Sequence, residues 1–123
     1  MKRGEITISE NKITIVPADG TIWLSDWQIA QLFEVYQAKV SSNIRSILKT
    51  EVLDERTVCR TYYYKDGGSV EQYNLEMITA LAFRIKSYKA AVFREWLMRK
   101  AVTNTVGQQI LKNIRWDSKA LQN

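Results

Sequence analysis

Residues 29–45 read Ile29-Ala-Gln-Leu-Phe-Glu-Val-Tyr-Gln-Ala-Lys-Val-Ser-Ser-Asn-Ile-Arg45. Apolar side chains at Ile29, Leu32 and Phe33, and again at Val40, Ile44, Ile47 and Leu48, recur at helical spacing. Glu34-Val35-Tyr36 interrupts the pattern, which predicts a first helix, a turn, and a second helix over residues 37–49. Ala30 supplies the small residue that crossing helices require. Ile29, Phe33, Val35, Val40 and Ile44 supply the inner faces, while Gln37, Lys39, Ser41, Ser42, Arg45 and Lys49 face outward. The segment reads as a helix-turn-helix, whose second helix would suit a DNA major groove with its N-terminal residues toward base edges. The same pattern also describes two packed helices with a polar outer face. Glu34 occupies the turn position where glycine is usual. If that residue needs positive φ, a glutamate there costs on the order of 1 kcal/mol, and its carboxylate would repel phosphate.

On the N-terminal side, residues 5–24 alternate with period two. Ile6 and Ile8 share one face, Thr7 and Ser9 the other; Ile13 and Ile15 repeat the pattern, and Ile22-Trp23-Leu24 closes it. Glu10-Asn11 and Asp19-Gly20 mark turns, and Pro17 marks a strand end. Two or three short strands in a meander are expected. Ser25, with Gln28 three residues on, forms the capping-box pattern that starts the first helix.

On the C-terminal side, residues 50–57 read as a polar connector and residues 58–64 as a strand. Lys65-Asp66-Gly67-Gly68 forms a hairpin turn and residues 69–73 return. A helix-turn-helix followed by a hairpin is the chain order of a winged helix, with Arg60 and Lys65 able to approach a phosphate backbone. Tyr62, Tyr63 and Tyr64 could meet phosphate or bases, but alternate packing with one ring in solvent is the preferred reading. Asn74 caps a helix over residues 75–85, with Met77, Ile78, Leu81, Ala82 and Ile85 inward. Ser87 caps the last helix, with Ala91, Val92, Trp96, Leu97 and Ala101 inward. Arg84, Lys86, Lys89, Arg94, Arg99 and Lys100 could make a second phosphate-contacting face or a solvated surface. Beyond Gly107, Ile110, Leu111, Ile114 and Trp116 form an apolar stripe suited to docking on the body or on a partner.

The 123 residues fit one domain. Eighteen Lys and Arg against 13 Asp and Glu give +5, a balance that favours polyanionic partners. One cysteine, Cys59, and no histidine rule out an intramolecular disulfide and fit a reducing cytoplasm. The same count nearly excludes a zinc site and removes the base of Ser-His-Asp or Cys-His catalysis. No phosphate-binding glycine loop, signal peptide or membrane span is legible.

Several blocks then follow in order: Thr21-Ile-Trp-Leu-Ser25, Gln28-Ile-Ala-Gln-Leu-Phe33, Asn43-Ile-Arg-Ser-Ile47, Leu53-Asp-Glu55 and Val58-Cys-Arg60. Tyr73-Asn-Leu-Glu-Met-Ile78, Phe83-Arg-Ile-Lys-Ser87 and Phe93-Arg-Glu-Trp96 complete the set. Across about residues 20–100 it resembles the N-terminal domain of the RhuM-like virulence-protein family of bacteria. That family looks related to the phage Bro-N and KilA-N type DNA-binding domains. The resemblance implies DNA binding, in a family found in genomic islands and mobile elements. It also implies a chain that is an isolated N-terminal domain or a short member, since relatives are generally longer. Tyr36-Gln-Ala-Lys39 departs from the Thr/Ser-Arg-rich turn often seen in the family.

The expected fold is α+β: an N-terminal β-meander, a helix-turn-helix with a β-hairpin wing (winged-helix-like), and two C-terminal helices. Residues 1–106 form the domain and 107–123 a helical tail or linker. The expected function is double-stranded DNA binding in the cytoplasm, in the manner of a transcription regulator or a mobile-element protein. Gln37, Lys39, Ser41, Ser42, Arg45, Lys49, Arg60 and Lys65 form the contact set. No catalytic residue, metal, cofactor, small-molecule substrate or membrane is expected. A protein-interaction or homodimerisation domain is the alternative, and a nucleic-acid enzyme the weakest reading.

Overall fold

The computed structural model describes residues 4–17 and 21–103. Over them the chain is mixed α+β. Strands β1 (Glu5–Ser9) and β2 (Lys12–Val16) come first, followed by helices α1 (Asp26–Phe33), α2 (Gln37–Lys49) and α3 (Glu55–Val58). Strands β3 (Cys59–Tyr63) and β4 (Ser69–Tyr73) come next, and helices α4 (Leu75–Ala82) and α5 (Tyr88–Thr103) close the order. The proposed turn at Asp19-Gly20, the boundary at residue 106 and the stripe Ile110–Trp116 lie outside the described residues. No described helix is long and apolar enough to cross a membrane.

β1 and β2 form an antiparallel hairpin that pairs Ile6 with Ile15 and Ile8 with Ile13. This places the isoleucines on the inner face, as the period-two pattern requires. The expected third strand of a meander is not part of it. Leu24 instead bridges Tyr73 of β4, its N–H donating to Tyr73 O at 3.0 Å and its carbonyl accepting from Tyr73 N at 2.7 Å. The local alternation of Ile22-Trp23-Leu24 is real, but its partner lies some fifty residues further on, where a local pattern carries no information.

α1 starts as its capping box predicts: Ser25 Oγ accepts from Gln28 N at 3.2 Å, and Gln28 Oε1 accepts from Ser25 N at 2.9 Å. The residue 50–57 connector contains α3, one helical turn capped by Asp54, whose carboxylate accepts from Arg56 N at 2.9 Å. Val58, expected in the strand, ends this turn and is fully buried. β3 therefore runs from Cys59 only to Tyr63. α4 ends at Ala82 rather than Ile85, although Ile85 remains buried.

One core joins these elements. Phe33 at the end of α1 meets Phe93 of α5 edge-on, with ring centroids 5.8 Å apart. Val40, Ile44 and Ile47 of α2 and Met77, Ile78 and Leu81 of α4 belong to the same cluster. The inner face of α5 differs from expectation: Ala90, Val92 and Phe93 are buried, Ala91, Trp96 and Leu97 are half-buried, and Ala101 is exposed. Phe93 is the largest fully buried side chain of α5.

Candidate nucleic-acid interface

Burial of Val40, Ile44 and Ile47 fixes the rotation of α2. At about 100° per residue, the opposite face carries Ala38, Ser42, Arg45 and Lys49 in one stripe. All four are exposed. Lys39 is exposed on one flank, beside half-buried Asn43 and Ser46. Gln37 and Ser41 lie on the other flank, toward α1. Helix formation alone therefore gathers six of the eight expected contact residues on one element and sorts them across its width.

The stripe is extended by a residue from another element. Arg84, just past α4, donates from Nη1 to Ser46 Oγ of α2 at 3.1 Å and is itself exposed. Among the described residues, none of Lys39, Arg45, Lys49 and Arg84 takes part in an ion pair; the two pairs present are Arg56–Asp54 and Arg99–Glu95. Unpaired cations in a row raise the local positive potential more than the net charge of the chain implies.

Most of the remaining basic residues of the last two helices make contacts within the fold. Arg94 donates to the carbonyls of Ala82 and Ile85, and Lys89 Nζ to Ile8 O at 2.8 Å. Arg99 is paired with Glu95, and Lys100 stands over the Trp96 ring. Lys86 is exposed.

The hairpin divides its candidates. Lys65 is exposed in the β3–β4 turn, which closes through Tyr64 N donating to Gly68 O at 2.7 Å. Gly67 adopts φ of +97°, a conformation that costs glycine nothing. Arg60 stands apart from the exposed set. It is half-buried, its guanidinium lies 4.5 Å from the Trp23 ring centroid, and its Nε donates to buried Gln72 Oε1 at 2.9 Å. It stacks as a cation on an aromatic face and ties the strands together. Tyr62 and Tyr64 pack edge to face at 5.3 Å, and Tyr63 is 74% exposed.

At the α1–α2 turn, Glu34 sits in the left-handed region with φ 56° and ψ 51°. Val35 N donates to Ala30 O at 3.0 Å, closing a Schellman-type reversal. Tyr36, which starts α2 without a side-chain cap, is 87% exposed, and Trp27 is 54% exposed. With Ala30, Gln31, Glu34 and Val35 they line a shallow notch at the N-terminal end of α2.

Asp26 was not foreseen as part of this region. Its carboxylate accepts from Gln37 Nε2 at 3.2 Å and from Ser41 Oγ at 2.9 Å. These contacts span 11 and 15 residues, so no periodic pattern could announce them. The available signal was an aspartate at the first position of the helix that precedes the turn.

Cys59 offers no reactive thiolate. Burial first, and then its hydrogen bond to Glu71 Oε2 at 3.0 Å, push its thiol up to about 12. Among the described residues, no group of three Cys, Asp or Glu side chains is placed to hold a metal ion.

No protein-family model, curated protein or solved structure matches the chain.

Proposed function

We propose that this chain is a winged-helix-like domain that binds double-stranded DNA, with α2 lying in the major groove. The observation that carries the reading is the row Ser42, Arg45 and Lys49 on the exposed face of a 13-residue helix, widened by Lys39 and by Arg84 held on Ser46. An α-helix with its side chains is about 10–12 Å across, which matches the B-DNA major groove at about 12 Å wide. Lys39, Arg45, Lys49 and Arg84 neutralise phosphates, while Gln37, Ser41 and Ser42 lie nearest base edges. Lys65 on the β3–β4 turn serves as the wing contact. The Leu24–Tyr73 bridge supports the winged reading, because it ties the segment before α1 to the hairpin that follows α2. The ordered blocks that resemble RhuM-like N-terminal domains point the same way, toward a binding module without a catalytic step.

The test is fluorescence anisotropy with a labelled random-sequence duplex, from about 50 to about 200 mM salt. Wild-type affinity should fall steeply, with a log–log slope of several units. The double variant Arg45→Ala/Lys49→Ala should lower that slope by about 1.8, at about 0.9 per phosphate contact. Absence of binding at the lowest salt would reject the reading and leave the exposed Trp27–Tyr36 notch as a protein-contact surface to pursue.

A further inference from the structure

Gln37 and Ser41 stand one helical turn apart on the flank of α2 that faces α1, and one carboxylate serves both. Gln37 Nε2 donates to Asp26 Oδ1 at 3.2 Å and Ser41 Oγ donates to Asp26 Oδ2 at 2.9 Å. Trp27 N donates to Oδ1 at 2.7 Å, which anchors the carboxylate to the start of α1.

An ionised carboxylate only accepts hydrogen bonds, so the polarity of both contacts is fixed. The Gln37 amide must turn its nitrogen toward Asp26; flipping it would set Oε1 against a carboxylate oxygen. The Ser41 hydroxyl has one hydrogen, and Asp26 takes it. What remains follows by subtraction. Gln37 retains its carbonyl oxygen and one amide hydrogen, and Ser41 retains only lone pairs.

We propose that Asp26 is a specificity-determining positioning residue. By taking hydrogens from Gln37 and Ser41 it leaves Ser41 an acceptor and turns the Gln37 carbonyl outward, so at those positions the domain favours, on the contacted strand, the base that carries the exocyclic amino group. The inference rests on α2 being the helix that enters the groove. Adenine offers the N6 amino donor beside the N7 acceptor, and the oriented Gln37 amide complements that pair. Cytosine N4 is the other major-groove amino donor, and Ser41 accepts from either. Guanine presents N7 and O6, and thymine presents O4 and a methyl group; neither donates a hydrogen to Gln37 Oε1 or Ser41 Oγ, and the one remaining Gln37 amide hydrogen can meet N7 of either purine, so the discrimination rests on the two oxygens. The same carboxylate repels phosphate, which assigns backbone contacts to Arg45, Lys49 and Arg84 further along the helix.

The test selects binding sites for the full chain from a library of randomised duplexes, then measures affinity for duplexes with each selected base pair exchanged. Wild-type protein should prefer adenine or cytosine over guanine or thymine on the contacted strand by about tenfold at two positions, so that reversing a base pair lowers affinity. In Asp26→Asn, the new amide donates to Gln37 Oε1 or Ser41 Oγ, and the preference at those positions should fall to about twofold or less. Asp26→Ala, its fold checked by thermal melting, should relax the preference without introducing a donor. Wild-type protein that binds without base preference, or a preference unchanged in both variants, overturns the proposal and leaves DNA binding standing. Wild-type protein with no salt-dependent binding overturns both.

Discussion

Glu10, Glu34 and Glu51 adopt φ of 51°, 56° and 58°, a region that side chains with a Cβ enter at a cost. Each stands at a chain reversal: Glu10 between β1 and β2, Glu34 after α1 and Glu51 after α2. The reversal after α2 repeats the bonding after α1, since Val52 N donates to Ile47 O at 3.2 Å just as Val35 N does to Ala30 O. The geometry is thus imposed by helix termination, and the residue there bears the strain. Glu34 is the informative case because its carboxylate also borders the N-terminal end of α2. Replacing it with glycine should raise stability by about 1 kcal/mol, relief of the left-handed penalty exceeding the added freedom of the unfolded chain. Glu34→Gln keeps the strain and removes only the charge. Thermal melts and DNA titrations of the two variants separate the effects: melting should rise in Glu34→Gly alone, and DNA affinity should rise in both. A melting temperature unchanged in Glu34→Gly would remove strain from the account of this turn.

At the scale of elements, the join between α4 and α5 depends on one side chain. A helix end leaves carbonyls without intrahelical partners, and Arg94 of α5 supplies donors to Ala82 O and, at 2.9 Å, Ile85 O. Arg94→Met preserves much of the aliphatic stem and removes the donors, so those partly buried carbonyls lose their partner. The expected cost is about 1–3 kcal/mol, read as a lower urea midpoint at unchanged m-value; an unchanged midpoint would assign Arg94 to the solvated surface instead. Arg94 also marks where sequence reading stops. The bounds of α2 were legible because a 13-residue amphipathic helix repeats its apolar signal through Val40, Ile44, Ile47 and Leu48. The one turn of α3 repeats nothing, since Val58 is its sole buried residue. Basic side chains were legible as types but not as partners. Arg94 and Lys89 are bonded to backbone oxygens 9 and 81 residues away, and Arg60 lies on Trp23, whereas Arg84 reaches α2 across 38 residues. The outer stripe of α2 follows from helical period alone; which cations remain available beside it depends on tertiary contacts that no local pattern encodes.

At the scale of the whole molecule, the sequence excess of positive charge is distributed unevenly. Where α1, α3 and the β3–β4 hairpin converge, Asp26, Glu55 and Glu71 all act on Cys59 or Tyr73, while the available cations line α2 and the end of α4. Burial is the first cause that pushes both groups up to about 12, from 9.0 for the Cys59 thiol and 10.0 for the Tyr73 hydroxyl; Glu71 reinforces it at Cys59, and the charge on Cys59 followed by nearby carboxylates reinforces it at Tyr73. The sign of the consequence follows from proton counting. Above pH 9 the unfolded chain releases the thiol proton, and above pH 10 the phenol proton, while the folded chain holds both. The native state then binds more protons, so stability that is complete below pH 9 is lost as pH rises toward 12. Each group contributes a slope no steeper than about 1.4 kcal/mol per pH unit, and less here because both side chains are partly solvated. Cys59 begins to titrate before Tyr73, so the interval from pH 9 to 10 reports mainly on the thiol. Urea midpoints across that interval should fall for wild-type protein and fall less for Cys59→Ala. Glu71→Gln should also flatten the curve, because it removes the charge that opposes the thiolate. Parallel curves for all three proteins would mean that the thiol titrates alike in both states, and that Glu71 serves only to accept the hydrogen bonds of Cys59 and Thr61 across the hairpin.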